Sequence, residues 1–166
     1  PDLNDVDANH VARVVGIGAV KYADLSRHRS SDYVFDWDTM LSFEGNTAPY
    51  LQYAYARIQS LFRRGQVDPS TLSGSPDIED PAERLLAVTL LRFQETIEQV
   101  ATEALPHYLC GYLYDLAGQF MKFYETCPVL EAPADQRNER LKLCALTAAT
   151  LRDGLALLGI ETVDRM

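Results

Sequence analysis

Tyr50, Tyr53, Arg57 and Arg64 place two phenol rings and two guanidinium groups at steps of three, four and seven residues. On a wheel of about 100° per residue these four share one side of a helix, nearly opposite Leu51, Tyr55, Ile58 and Phe62. Rings and guanidinium groups together suit unstacked nucleobases. Each ring offers a π-face worth roughly 1–3 kcal/mol per base, and arginine offers a phosphate contact. The same pattern fits a helix whose second side packs on another layer of a bundle, and periodicity alone leaves both open.

Other constellations carry less. Gly16-Ile17-Gly18-Ala19-Val20-Lys21 has the look of a phosphate loop. It lacks a preceding strand, a third glycine and a Ser or Thr after Gly-Lys, so small residues for close helix packing explain it better. Asp36 and Asp38 flank Trp37 but face no second reactive group, which reads as turn and capping chemistry. His10, His28 and His107 are too scattered to make a metal set with each other or with cysteine, so no metal is expected. Cys110, Cys127 and Cys144 are odd in number and lack C-x-x-C spacing, which suggests free thiols in helical contexts. No nucleophile and base pair can be assembled, and no catalytic residue is assigned.

The elements that must position the Tyr/Arg face are helical almost throughout. Val11, Val14, Gly18, Tyr22 and Leu25 form one apolar stripe; Leu86, Leu90, Phe93, Ile97 and Val100 form another. Leu109, Leu113, Leu116, Phe120 and Phe123 repeat the rule, as do Leu141, Cys144, Ala148, Leu151, Leu155 and Leu158. The chain is expected to be an all-α helical bundle. Asp80-Pro81 and Thr47-Ala48-Pro49 read as helix starts, the first opening an acidic helix over 81–104, and Gly159 reads as a stop. Residues 65–76 and 128–135 read as loops, the first mobile, and residues 29–43 as an extended link with a short helix.

At 166 residues, 47% hydrophobic and 23% charged, the chain suits one ordinary domain with a short piece of a neighbour. No window approaches the roughly 18 apolar residues of a membrane span, and the acidic start does not resemble a secretion signal. Cytoplasm is the expected location, and Pro1 suggests a chain that begins inside something longer. A net charge of −9 argues against a protein that coats nucleic acid generally, because phosphate binding is mostly electrostatic. The charge is uneven, however. Residues 10–64 carry seven Lys and Arg against five Asp and Glu, whereas residues 65–104 carry two against eight.

Four blocks carry a family resemblance: VGIGAVKYADLS at 15–26, DYVFDWDTMLSFEGNTAPYLQYAYARI at 32–58, ERLKLCALTAATLRDGLALLGI at 139–160, and the ending Glu161 to Met166. In order and content they resemble the bacterial arginyl-tRNA synthetases. The resemblance implies a bundle of the class I synthetase anticodon-binding type. It divides the chain into residues 1–28, the tail of a catalytic region with its connecting helix, and residues 29–166, the anticodon-binding bundle. The implied partners are the anticodon loop of an arginine tRNA and the catalytic domain of a longer chain, with neither membrane nor DNA involved. The family's HIGH-type and KMSKS-type motifs do not occur here, so this stretch should not activate arginine by itself; ATP and Mg belong to the parent enzyme.

The resemblance also implies site residues. Glu44, Gly45, Asn46 and Thr47 lie in the loop that contacts the anticodon side of the tRNA. Tyr50 and Tyr53 match aromatics that meet anticodon bases, with Arg57 in the basic stripe beside them. Met166 resembles a residue that closes an apolar pocket around a base, helped by an aromatic near Phe123 and Tyr124. Two other classes stay open: a helical scaffold that binds protein through the Tyr/Arg face, and an enzyme that uses Gly16–Lys21 for a nucleotide.

Overall fold

A computed structural model describes residues 5–166, so the first four residues of the expected 1–28 segment lie outside the description. Seven α-helices follow in order: α1 (Asp5–Leu25), α2 (Trp37–Met40), α3 (Ala48–Gly65), α4 (Pro81–Leu91), α5 (Phe93–Glu103), α6 (His107–Thr126) and α7 (Ala134–Leu157), with a 3₁₀ turn at Pro69–Thr71. No strand occurs among the described residues. The all-α expectation is met.

The core forms where the apolar stripes meet. Leu51, Ile58 and Phe62 of α3, Leu113, Leu116 and Phe120 of α6, and Cys144, Leu151 and Leu155 of α7 are buried in one cluster. Each such side chain contributes about 1.5–3 kcal/mol by leaving water. α6 runs through the middle, touching α1, α3, α4, α5 and α7. Gly154 lets α7 approach closely: a Cβ there would stand 2.6 Å from a Leu113 methyl.

Local chemistry sets the helix ends. Thr47 caps α3, its Oγ1 accepting from Tyr50 N. Asp36 caps α2 by accepting from Thr39 N at 2.7 Å, the capping role its sequence context implied. At the far end of α7, Gly159 takes φ +70°, Gly159 N donates to Ala156 O, and Ile160 N donates to Leu155 O. These two bonds satisfy carbonyls that the helix leaves open.

One expected helix is two. The sequence stripe predicts a single rod over 81–104, but the chain bends at Arg92 (φ −78°, ψ −4°). Thr89 and Thr96 each donate a hydroxyl to the carbonyl four residues back, Leu85 O and Arg92 O, a bond that Thr147 and Thr150 also make within the unbroken α7. The bend lets α4 pack on both α6 and α7, while α5 follows α6. α4 is tied to α7 by a buried ion pair, Arg140 Nε to Glu83 Oε1 at 2.7 Å. The loop between α3 and α4 is fastened rather than free. Leu72 and Ile78 pack on the core, Thr71 Oγ1 donates to Asp68 O, and Asp77 N donates to Glu139.

All three thiols are free and buried. Burial pushes Cys110 and Cys144 up to about 12. No helix among the described residues is long and apolar enough to cross a membrane.

Candidate nucleic-acid interface

The loop before α3 is held at several points. Thr47 Oγ1 donates to Ser42 O at 2.6 Å, Glu44 N donates to Ser42 Oγ, and Thr47 N donates to Gly45 O. The buried Tyr22 hydroxyl of α1 sits between the Asn46 Oδ1 (2.6 Å) and the Cys110 carbonyl (2.8 Å), sharing its one proton. Gly45 takes φ +82°, a conformation side chains disfavour. Thr47 is buried, whereas Phe43, Glu44, Gly45 and Asn46 are exposed and form the part of the loop turned to solvent, Asn46 being held by the Tyr22 hydroxyl.

Behind that loop, Tyr53 is 38% exposed, with the Phe43 ring edge-on at 6.2 Å. Arg57, one turn further along α3, donates from Nη1 to the Tyr53 hydroxyl at 2.9 Å. Its guanidinium carbon stands 4.7 Å from the centre of the Tyr124 ring and 5.9 Å from that of Tyr53. Both rings attract the cation through their negative faces. The packed core behind α3 and α6 thus fixes a cation between two aromatics at the surface.

These groups line a cleft of about 330 Å³ together with Arg63, Arg64, Arg165 and Met166. Segment 160–166 reaches it by lying back across α3. Ile160 and Val163 are buried, and Arg63 Nη1 donates to Asp164 O at 2.9 Å. None of the four arginines forms an ion pair with a described residue. Four arginines beside exposed rings make a local anion-attracting surface on a chain of net charge −9.

The structure redistributes the expected site residues. Tyr53, Arg57, Tyr124 and Met166 converge on the cleft. Tyr50 does not join them: it is half-buried, packed on the core and edge-on to Tyr114 at 5.7 Å. Burial, followed by Tyr114 and Glu125, raises its phenol pKa above the ordinary value. The wheel put Tyr50 with Tyr53, but the α6 boundary falls between them. Phe123 requires a correction as a base-contacting residue, because it is 0% exposed and packs beside Phe120 inside α6's core face. Its neighbour Tyr124 reaches the cleft instead.

Sequence reasoning passed over Phe43, Arg63 and Arg165. Phe43 lay in the quoted block and could have been found as an aromatic beside a glycine turn. Arg63 lies on α3 beside Arg64 and its helix position could have revealed it, whereas Arg165 enters only because segment 160–166 folds back, which no spacing encodes. The Gly16–Lys21 segment is mid-helix in α1, its backbone committed to the helix, and Gly18 serves close packing: a Cβ there would stand 2.9 Å from Gln52 Nε2. Among the described residues no group of three or more His, Cys, Asp and Glu is placed to hold a metal.

The model of the DALR anticodon binding domain family matches residues 51–166. The chain belongs to that family. The class I (R) tRNA synthetase catalytic domain family matches residues 2–37, which include α1. Over its whole length the DALR chain is 59% identical to an arginine-tRNA ligase of Proteus mirabilis and 56% identical to one of a Marinomonas species. It spans 29% of the length of each. The arginyl-tRNA synthetase structure of Thermus thermophilus superposes with a TM-score of 0.89 at 37% identity, covering 100% of this chain and 29% of that one. The Plasmodium falciparum enzyme gives 0.88 at 33%, covering 98% and 29%. The helical arrangement of the described residues is thus shared with these solved synthetase structures along nearly all of this chain's length.

Proposed function

We propose that this chain binds the anticodon loop of an arginine tRNA, and that in a longer protein like its relatives it thereby positions the tRNA for ATP-dependent aminoacylation. On this reading residues 1–28 are the end of the catalytic region and residues 29–166 the anticodon-binding bundle. What supports the reading is the cleft, where Tyr53 and Tyr124 flank Arg57, with Met166 and three more arginines lining it. A splayed base can stack on a ring while guanidinium groups meet the flanking phosphates. Glu44, Gly45 and Asn46, exposed in the loop that the buried Thr47 anchors, would offer polar contacts to the loop bases. Tyr50 would touch RNA only along its exposed edge. ATP and Mg²⁺ use is assigned to the remaining part of the longer protein, since the Gly16–Lys21 segment of α1 has no free backbone N–H groups to cradle a phosphate.

The test is direct binding of a labelled anticodon stem-loop of an arginine tRNA to this chain, against a stem-loop with an unrelated anticodon. We expect preference for the arginine sequence and affinity that falls with salt. Two to four phosphate contacts give a log–log slope of about −1.4 to −2.8. Equal binding of both RNAs, or salt-independent binding of the kind an aromatic protein interface shows, would refute the proposal.

A further inference from the structure

Gln52 precedes Tyr53 on α3 and points the opposite way. It is 0% exposed, and its Nε2 donates to Glu161 O at 2.8 Å and reaches Val14 O at 3.5 Å. Both facing groups are carbonyls, so the amide must present its NH₂ to them; reversed, oxygen would confront oxygen. Among the described residues its Oε1 then has no protein partner. Gly18 makes the room, since a Cβ there would also stand 3.2 Å from Ile160 Cγ2.

A buried oxygen without a partner costs stability, and an apolar side chain of similar size would avoid that cost. The amide supplies something an apolar group cannot: a directional bond that fixes the root of segment 160–166 on α3. From Glu161 the segment runs past Tyr55, whose hydroxyl donates to Asp164 Oδ1, to Arg165 and Met166 at the cleft. A slip at the root would displace Met166 relative to Tyr53 and Tyr124. We propose that Gln52 is a positioning residue for RNA binding: by holding Glu161 O it sets segment 160–166 in place, so that Met166 stands over the cleft before RNA arrives. This inference rests on the reading of the cleft as an RNA site.

Ordering done in advance lowers the cost of binding, so losing it should weaken affinity about three- to tenfold. The experiment measures stem-loop affinity for this chain and for Gln52→Met, Gln52→Glu, Met166→Ala and the Gln52→Met/Met166→Ala double variant. Gln52→Glu keeps the shape but turns a carboxylate onto two carbonyls. Gly18→Ala displaces the amide without altering it and serves if a Gln52 variant does not fold. Amide hydrogen exchange over 161–166 is followed in parallel. We expect weaker RNA binding and faster exchange in each Gln52 or Gly18 variant, and no further loss when Gln52→Met is added to Met166→Ala. Additive losses, or single variants that bind RNA as the unaltered chain does, overturn the positioning role alone. An unaltered chain that does not bind the stem-loop overturns the RNA reading and this inference together.

Discussion

Replacing Tyr53 separates ring stacking from hydrogen bonding at the cleft. Tyr53→Ala removes the exposed ring, its edge contact with Phe43 and the acceptor for Arg57 Nη1. Loss of one base-aromatic stack is worth roughly 1–3 kcal/mol, which raises the dissociation constant for the stem-loop about 5- to 140-fold at 1.4 kcal/mol per tenfold. Tyr53→Phe keeps the ring and its Phe43 contact and deletes only the hydroxyl. A surface hydrogen bond open to water lies at the low end of about 0.5–1.5 kcal/mol, so this variant should lose no more than about fivefold. Neither change should alter folding stability by more than about 1 kcal/mol, because the side chain stands outside the core. Fluorescence anisotropy at one fixed salt concentration reads the affinities, and urea titration reads the stability. Tyr53→Ala within twofold of the unaltered chain would refute stacking at this ring. So would a Tyr53→Phe loss as large as that of Tyr53→Ala.

Further outcomes concern the scaffold. Glu83→Gln turns an amide NH₂ toward the buried Arg140 guanidinium and should cost about 3–5 kcal/mol in urea unfolding. Burial works against the Glu83 charge, but the Asp80 N–H, Arg140 and the Glu79 N–H outweigh it and hold the carboxyl below its ordinary 4.5. With the folded pKa lowered, the contribution is complete above pH 4.5 and fades as pH falls through the folded value; the acid limb of a stability-pH profile should therefore flatten in Glu83→Gln. Gly154→Ala should destabilise by about 1–3 kcal/mol, since its Cβ would press on Leu113, whereas Gly118→Ala, with nothing within 4 Å, should stabilise by about 0.4–1 kcal/mol. A denaturation series that ranks these two the other way would contradict the packing described. Burial keeps Cys110 and Cys144 protonated near neutral pH, so a thiol reagent should label them only at the rate of unfolding; fast labelling of the native chain would overturn that.

Much of the fold is legible because helices announce their buried side every three or four residues. The stripes on α1, α6 and α7 and the capping residues Asp36, Thr47 and Gly159 needed no tertiary information. The single rod read over 81–104 failed for a physical reason. Apolar spacing continues through Arg92, while the break there goes with the packing of α4 on α6 and α7 and of α5 on α6.

The candidate site divides in the same way. Sequence by itself determined that Tyr53 and Arg57 share the side of α3 away from Leu51 and Ile58, because a fixed helical angle relates them. Only the tertiary structure decided that Tyr50 leans on Tyr114, that Tyr124 meets Arg57, and that Arg165 and Met166 return to α3 from more than a hundred residues away. Those outcomes follow from helices packing in three dimensions: a periodic pattern states which face is apolar, but the edge of that face is drawn by the neighbour that covers it.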